Sequence, residues 1–586
     1  METSFYSIKK IGGLITVLLV MGISSMAQTT YLPLSDEDYH MLDRLETRSG
    51  RFSDTLCLTT KPESRKRVVQ FLQNLSSVPG TYSAVDSVNM ARMVSKNGEW
   101  TPDGNGADDS KQAWFNTFYK KQDDFIYVKT DNFFLVVNPV LGGQGMVQNA
   151  NITGTTIGKN PLLYNTHGFE WRGWICKKIG FYTYFTDNQE TPPTFVNNYV
   201  VGKPQQAVPG ADYYLISNKS PSYDYFLASG YFDFAIIKDH MNMTFGTGKH
   251  FIGDGIYSLE LSDMSANTPF LQLTTRIWKI NYQNLYMQLT PQYDRFVLDS
   301  QLPHKYATMH YLSYNATNWL NVGFFESTIF ATPNTFQISY LNPIILYKTV
   351  EQFNGNPDKE LIGFNYKAIV ARHLQFYGQF ILNEFKASHF FSNGGWYDNK
   401  WGLQLGAKYF DAFTVKNLDL QAELNMVRPY TYEAQHDTIA NYTNYNQPLA
   451  DPLGSGFIQF TGVANYQPIK NLYLTVKGMY YVQGTDTGSA NYGNDIFKSF
   501  NNATTTKGVG MINGPKSIGT IINLNLSYEL RRNMFIDLGA SYRTYSSSAG
   551  VYPSYSTTGY ALSANATTYM YIGIRLNAPR RNYDFF

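Results

Sequence analysis

Between Asn417 and Met426 the side chains alternate in character: Leu418, Leu420, Ala422, Leu424 and Met426 fall on one face of an extended chain, and Asp419, Gln421, Glu423 and Asn425 on the other. Such a period of two predicts a strand with one dry face. The pattern repeats. Leu374, Phe376, Gly378, Phe380 and Leu382 alternate with Gln375, Tyr377, Gln379 and Asn383, and similar runs occupy Ile522 to Leu530, Met534 to Tyr542 and Met570 to Leu576. A soluble sandwich uses strands of this kind too, but their repetition over most of the chain fits a wall with lipid outside and a wet lumen inside. Strands begin near Phe125. At ~9 to 11 residues per tilted crossing, residues 123–586 accommodate a transmembrane antiparallel β-barrel of about 18 strands, within a range of 16 to 18. Turn-rich stretches at 187–223, 431–455, 485–517 and 546–558 are candidates for its long loops.

Upstream of the strands the period is helical. Ser35 with Asp38 reads as a capping box, followed by an apolar face of Tyr39, Leu42 and Leu45. A second helix is expected from Pro62 through Val68, Phe71, Leu72 and Leu75, and a third from Ser83 to Asn97, stopped by Gly98. Three short amphipathic helices bury little by themselves. They are expected to pack on the periplasmic mouth of the barrel, with a separate soluble domain as the other arrangement. Residues 28–122 form this periplasmic helical segment. Lys9 and Lys10, the apolar run from Ile11 to Ile23 and the small residues up to Ala27 read as a cleaved signal peptide, residues 1–27.

Composition narrows the class. Aromatic residues make up 16% of the chain and charged residues also 16%, which suits aromatic girdles and a lipid-facing band. A net charge of +2 gives no basic field for nucleic acid. No further segment reaches the ~18 to 20 apolar residues of a spanning helix, so any membrane crossing is made by a closed barrel. Cys57 and Cys176 lie in different regions, and an oxidising periplasm permits their pairing. The chain ends in Tyr583, Asp584, Phe585 and Phe586, a terminal aromatic similar to the sorting signal of outer-membrane barrels, placed on a short tail beyond the last strand.

The densest polar cluster runs from Gly246 through Lys249, His250, Gly253, Asp254 and Ser258 to Asp263. It fails as a phosphate loop, because His250 follows Lys249 and no helix opens there, and as a dinucleotide fingerprint, because Phe251 stands where a glycine is needed. A glycine-kinked strand and turn is the plain reading. His250, Ser258 and Asp263 assemble into a hydrolase set on paper only. No metal-ligand spacing is present, so no catalytic residue, metal or cofactor is expected. Carbohydrate binding fits better, with aromatic faces and amide, carboxylate or basic groups as partners. Trp278, Lys279 and Tyr282 form one such cluster; Trp396, Tyr397, Asp398 and Trp401 form another. Tryptophans at strand ends serve equally as girdle residues.

Several runs carry a resemblance. Gly246 to Asp263, His310 ahead of Trp319 and Glu326, Tyr340 to Pro343, Asn356 to Gly363, Tyr31 to Leu34 with Tyr39 to Glu46, Arg428 to Tyr432 and Asn441 to Gly454 together resemble the Wzi capsule-assembly family, in its Bacteroidetes branch. The chain departs at Ala450-Asp451, where an Ala-His step is expected. The resemblance implies an outer-membrane barrel of 18 strands with a helical bundle at the periplasmic end, acting as a lectin without chemistry. It also implies, for RemB-like relatives, a gliding-motility role.

These readings converge on an outer-membrane protein that binds capsular polysaccharide or exopolysaccharide and helps assemble or retain it at the cell surface. Lys249, His250, Asp254, Asp263, His310 and Glu326 are expected in the lumen or at its rim, with Trp396 and Trp401 as sugar-facing aromatics. The expected partners are the polysaccharide and outer-membrane lipid. A component of gliding, adhesin or secretion machinery is one alternative. A diffusion channel is the other, opposed by aromatic lumen positions such as Tyr377, Phe535, Tyr569 and Tyr571.

Overall fold

The alternation at 418–426 carries into the computed structural model as a strand of the barrel wall, with Asp419, Glu423 and Asn425 buried towards the lumen. The structure describes residues 29–583 except 35–36, 77–81, 112–116, 153–161, 203–206, 213, 217–221, 292–301, 331, 344–346, 348–349, 351–357, 385–393, 436–437 and 549–563. Residues 1–27, read from the sequence as a signal peptide, and the terminal Asp584 to Phe586 lie outside these residues.

Eighteen strands form the wall. In chain order they are β1 (Phe133–Ile152), β2 (Leu162–Ile175), β3 (Ile179–Thr191), β4 (Tyr223–Ile237), β5 (Met241–Gly248), β6 (Thr268–Ile277), β7 (Ile280–Leu289), β8 (Lys305–Asn315) and β9 (Leu320–Ile329). They continue as β10 (Lys359–Val370), β11 (Leu374–Glu384), β12 (Lys400–Tyr409), β13 (Leu418–Val427), β14 (Phe457–Ile469), β15 (Leu472–Gly484), β16 (Lys516–Arg531), β17 (Met534–Ser547) and β18 (Ala564–Leu576). Each pairs antiparallel with the next, and β18 closes on β1 with Leu576 opposite Leu141. Short turns such as 176–178 and 532–533 gather at one mouth and the long connections at the other. Closure leaves no strand edge unpaired, which lipid requires.

The outer face is apolar and open. Ile522, Leu524, Tyr528 and Leu530 of β16, with Met570, Ile572 and Ile574 of β18, are 43 to 61% exposed. A contiguous apolar band of this kind belongs against lipid rather than water. Among the described residues no helix is long and apolar enough to cross a membrane.

Three helices seal the short-turn mouth: α1 (Asp38–Ser49), α2 (Arg65–Ser76) and α3 (Ala84–Lys96). Leu42 and Leu45 of α1, Val68, Phe71 and Leu72 of α2 and Met93 of α3 share one buried cluster, so the apolar faces read from sequence are the packed ones. Ser83 caps α3, with its hydroxyl accepting from the Asp86 amide (3.0 Å) and Asp86 accepting from the Ser83 amide (2.9 Å). α1 starts at Asp38 without a side-chain cap, since Glu37 holds the preceding position; Ser35 lies outside the described residues. α2 starts at Arg65 rather than Pro62, because Thr60 and Lys61 are drawn into a two-residue strand paired with Phe251 and Ile252.

A short tail follows the last strand, as the sequence suggests. After β18 it turns back into the lumen, where Arg581 makes two bonds to Glu190 (2.9 and 2.8 Å) and the Tyr583 hydroxyl donates to the same carboxylate (2.9 Å). Tyr583 is buried beside Tyr569. The charge pairing of Arg581 with a lumen carboxylate supplies the pull. Cys57 is buried and Cys176 exposed, and both are free thiols.

Candidate functional site

The glycine-rich run does not line an open lumen; it fills it. After β5 the chain leaves the wall and crosses the barrel interior as a plug from Lys249 to Asp263. The wall holds it by amide and carboxylate groups. Glu423 accepts from the Ile256 and Tyr257 amides (2.6 and 3.2 Å), Gln379 accepts from the Leu259 amide (2.8 Å), and Gln404 donates to the Tyr257 carbonyl (3.0 Å). These donors and acceptors satisfy an irregular backbone that is cut off from water. Two glycines are required. Gly253 has φ +151°, and a Cβ at Gly255 would stand 2.4 Å from Glu423 Oε2.

Within the plug the expected polar residues are spent on structure. Lys249 donates to the Gly210 and Asp263 carbonyls (3.2 and 3.1 Å). His250 is buried against the Phe270 ring and bonded to Gln272 (3.2 Å); burial lowers its pKa to about 4, only partly opposed by that bond. Asp254 accepts from Thr59 (3.0 Å) and pairs with Lys367 (3.2 Å). The Ser258 hydroxyl donates to the Ile252 carbonyl (2.5 Å), so His250, Ser258 and Asp263 are not joined into a relay.

The polar heart of the plug is a residue that spacing did not single out. Glu260 is fully buried, accepts from Asn365 (3.0 Å) and Gln379 (3.3 Å), and has its pKa raised by burial to about 8. Over it lies the 428–456 connection. The Tyr432 and Tyr442 hydroxyls donate to the Leu259 and Glu260 carbonyls (2.7 and 2.6 Å), and Lys305 donates to the Asn441 carbonyl (2.7 Å). Asp451, at the departure from the family pattern, is buried, and burial raises its carboxyl to about 7.

The long-loop mouth carries the aromatic cluster. Trp396 and Tyr397 are half-buried there, and Tyr397 packs edge-on against Tyr430 (5.8 Å) and near Phe500 (6.3 Å). Arg428 fixes their backbone by donating to the Trp396 and Val509 carbonyls (3.4 and 3.1 Å), and Lys400 pairs with Asp398 (3.2 Å). Amide groups surround them: Asn491 donates to Glu433 (3.1 Å) and Asn513 to the Tyr492 carbonyl (2.8 Å). Burial and the neighbouring Asp486 push the Glu433 carboxyl well above its usual range.

Two other sugar-binding candidates lie away from that mouth. Trp401 shares a strand face with Leu403 and Leu405 and lies against Phe380, on the lipid side, as a girdle residue. Trp278 stands 67% exposed in the β6–β7 turn at the opposite mouth.

His310 and Glu326 are neither in the lumen nor at its rim. Along β8 the lumen takes Lys305, Ala307, Met309 and Tyr311, and along β9 it takes Asn321 and Phe325, so His310 and Glu326 point out of the barrel. The β9–β10 connection folds down over them. Its Tyr347 meets His310 Nε2 (2.5 Å) and gives its amide to Glu326 (2.5 Å); Tyr340 is buried beside it and donates to Asp358 (2.6 Å). Tyr282 and Asn284 of β7 donate to the Pro343 carbonyl (2.5 and 3.2 Å) from the same outer face. The strap shields polar side chains from lipid.

At the short-turn mouth the helices are tied to the wall by ions. Arg44 of α1, 1% exposed, donates to Asp86 of α3 (2.8 Å), to Asp411 (2.7 Å) and to Asp419 of β13 (2.5 Å). Burial tends to raise the Asp43 carboxyl, but Lys367 and Lys408 outweigh it and hold the group far below its usual range. Between α1, α3, β14, β15 and the C-terminal tail a cavity of about 500 Å³ remains. Among the described residues no group of three His, Cys, Asp or Glu side chains is placed to hold a metal.

No family model matches the sequence, and no curated protein matches it significantly. Among solved structures the chain is similar to Wzi of Escherichia coli, described as an outer-membrane protein involved in group 1 capsule assembly and a carbohydrate-binding β-barrel. The TM-score is 0.51 at 12% identity, over 93% of this chain and 99% of that one. Weaker likenesses join it to two Pseudomonas aeruginosa barrels. These are OprD (TM-score 0.40, 9% identity, 75% of this chain and 95% of that) and OpdK, solved with vanillate (0.41, 8%, 75% and 98%). At 12% identity the likeness to Wzi is one of fold, and this chain's own fold is a closed 18-stranded barrel with N-terminal helices.

Proposed function

We propose that the protein resides in the outer membrane, short turns towards the periplasm, and binds surface polysaccharide at its long-loop mouth to hold capsule or exopolysaccharide on the cell. The observation that carries this reading is the filled lumen. A barrel whose interior is crossed by 249–263, capped by 428–456 and sealed below by three helices is built to present a surface, not to conduct. The presented surface has the parts that sugars use: the Trp396 and Tyr397 rings, carboxylates held by lysine, and amides fixed by neighbouring carbonyls. Full-length likeness to a carbohydrate-binding capsule barrel supports the same reading.

The mechanism is equilibrium binding without covalent chemistry. A polymer of repeated units meets many copies of a weak site, so retention comes from avidity. The test is deletion of the gene with a complementing copy, measuring cell-bound and shed polysaccharide. Transfer from cells to medium at constant total synthesis is the expected result. An unchanged distribution overturns the reading and moves the role towards gliding or secretion machinery. A large steady conductance in planar bilayers would instead favour a channel.

A further inference from the structure

We infer that the cavity at the short-turn mouth is a second binding site, for a short uncharged oligosaccharide approaching from the helix side. It does not rest on the long-loop reading. Its volume of about 500 Å³ lies inside the ~300–1,000 Å³ of ordinary ligand pockets, and it lies beside the bonds that tie α3 to β14 and β15, next to the C-terminal tail. A smaller void of about 260 Å³ lies on the other side of the helices, between α2 and the β5–β7 wall.

The lining selects the chemistry. Arginines are prominent in it, but they are already matched. Arg92 pairs with Glu529, Arg172 with Glu99, and Arg575 with Glu37 (2.9 Å) and Asp537 (2.8 Å). A polyanion would have to displace these carboxylates, and breaking a buried pair costs ~3–5 kcal/mol. An apolar ligand or peptide side chain would strand the polar wall, since amides and tyrosines outnumber aliphatic groups there. What remains suits hydroxyls. Asn89 and Gln467 form a reciprocal amide pair (2.8 and 3.3 Å), Asn465 accepts from Thr475 (2.9 Å) and keeps its amide N–H groups for a ligand, and the ion pairs hold planar donors and acceptors rigidly in place. Tyr473, bonded to Arg92 and set edge-on to Phe535 (6.1 Å), offers the apolar face against which a pyranose ring packs.

The experiment uses the full-length protein in detergent with fluorescent chitotriose, maltotriose and cellotriose as probes, and trigalacturonate and trialanine as competitors of other classes. At least one neutral trisaccharide should bind below about 10 mM. Asn465→Trp, which fills the cavity, should abolish that binding, and the milder Asn465→Leu should weaken it about tenfold. Trp401→Ala, on the outer wall against Phe380, should leave it unchanged. Failure of all three sugars, preferential binding of the uronate or the peptide, or binding indifferent to both Asn465 variants overturns the inference. Sugar binding that is lost in Trp396→Ala alone overturns it too, while supporting the long-loop site.

Discussion

The Tyr347 hydroxyl and His310 Nε2 lie 2.5 Å apart on the outside of the barrel, where the wall would otherwise meet lipid. With the Tyr347 amide on Glu326, this pair fastens the β9–β10 connection over a polar window formed by Asn284, Thr308, His310 and Glu326. Polar groups that leave the barrel wall are tolerated at membrane depth only where protein satisfies them, and β7 to β9 do so for Pro343 and Tyr347.

Tyr347→Phe removes the hydroxyl's bonds to His310 Nε2 and to the Tyr340 carbonyl (3.2 Å) and leaves a buried imidazole nitrogen unmet, at a cost of about 1–3 kcal/mol. The expected result is a strap that proteinase K cuts within 332–358 while the barrel keeps its folded migration on unheated gels. Cleavage no faster than in the wild type would show that the pair does not fasten the strap.

Legibility in the sequence follows the same line. Alternation marked β11, β13, β16, β17 and β18 because one side of each meets lipid and the other a polar filling. At β7 to β9 the signs invert: Leu285, Met287, Met309 and Phe325 face the lumen, where the plug packs, and His310 and Glu326 face outward under the strap. A rule assuming lipid outside assigns those two to the lumen. The same holds for Lys249 and His250. Their motif was visible, but not that the Ser258 hydroxyl is consumed by the plug's own backbone and the His250 imidazole and Lys249 ammonium by Gln272 and the Gly210 carbonyl, which spacing within the motif cannot show. Glu260 escaped notice because a lone acid in a run has no pattern.

Arg44 joins α1 to α3 and to two sites on the wall, all in the buried interior. Arg44→Ala leaves Asp86, Asp411 and Asp419 without their shared counter-charge, and removal of one partner from such a network costs about 3–5 kcal/mol. The helices should loosen from the mouth before the strands part. Hydrogen exchange is expected to rise in 38–96 with β1 to β18 still protected. Uniform loss of protection throughout would mean that helices and barrel unfold as one unit.

Glu260, with its carboxyl raised to about 8, and Asp451, raised to about 7, bind protons in the folded protein over a range where the unfolded chain has lost them. Their stabilising contribution is therefore complete below the unfolded values near pH 4 and falls as pH rises through 7 and 8. The slope is ~1.4 kcal/mol per pH unit for each group between its two pKa values. Glu260→Gln keeps a neutral group among Asn365 and Gln379, so its thermal midpoint should decline less than that of the wild type between pH 5 and pH 8. Parallel curves for the two proteins would remove Glu260 from the pH dependence.

Trp396 and Trp401 are five residues apart and make opposite predictions. Trp396 sits at the long-loop mouth with its backbone pinned by Arg428, edge-on to Tyr397, which in turn packs on Tyr430 and Phe500. Trp401 lies on the outer wall against Phe380. Trp396→Ala leaves the Tyr397–Tyr430 contact in place, so the loop should hold its shape while losing a face for the sugar ring. A loss of about 1.4 kcal/mol lowers the affinity of one site tenfold, and because retention multiplies over many sites, shed polysaccharide should rise at least severalfold. Trp401→Ala should alter thermal stability without changing the shed fraction. If both variants shed alike, the effect comes from barrel damage, and the Trp396 cluster is not where the polymer is held.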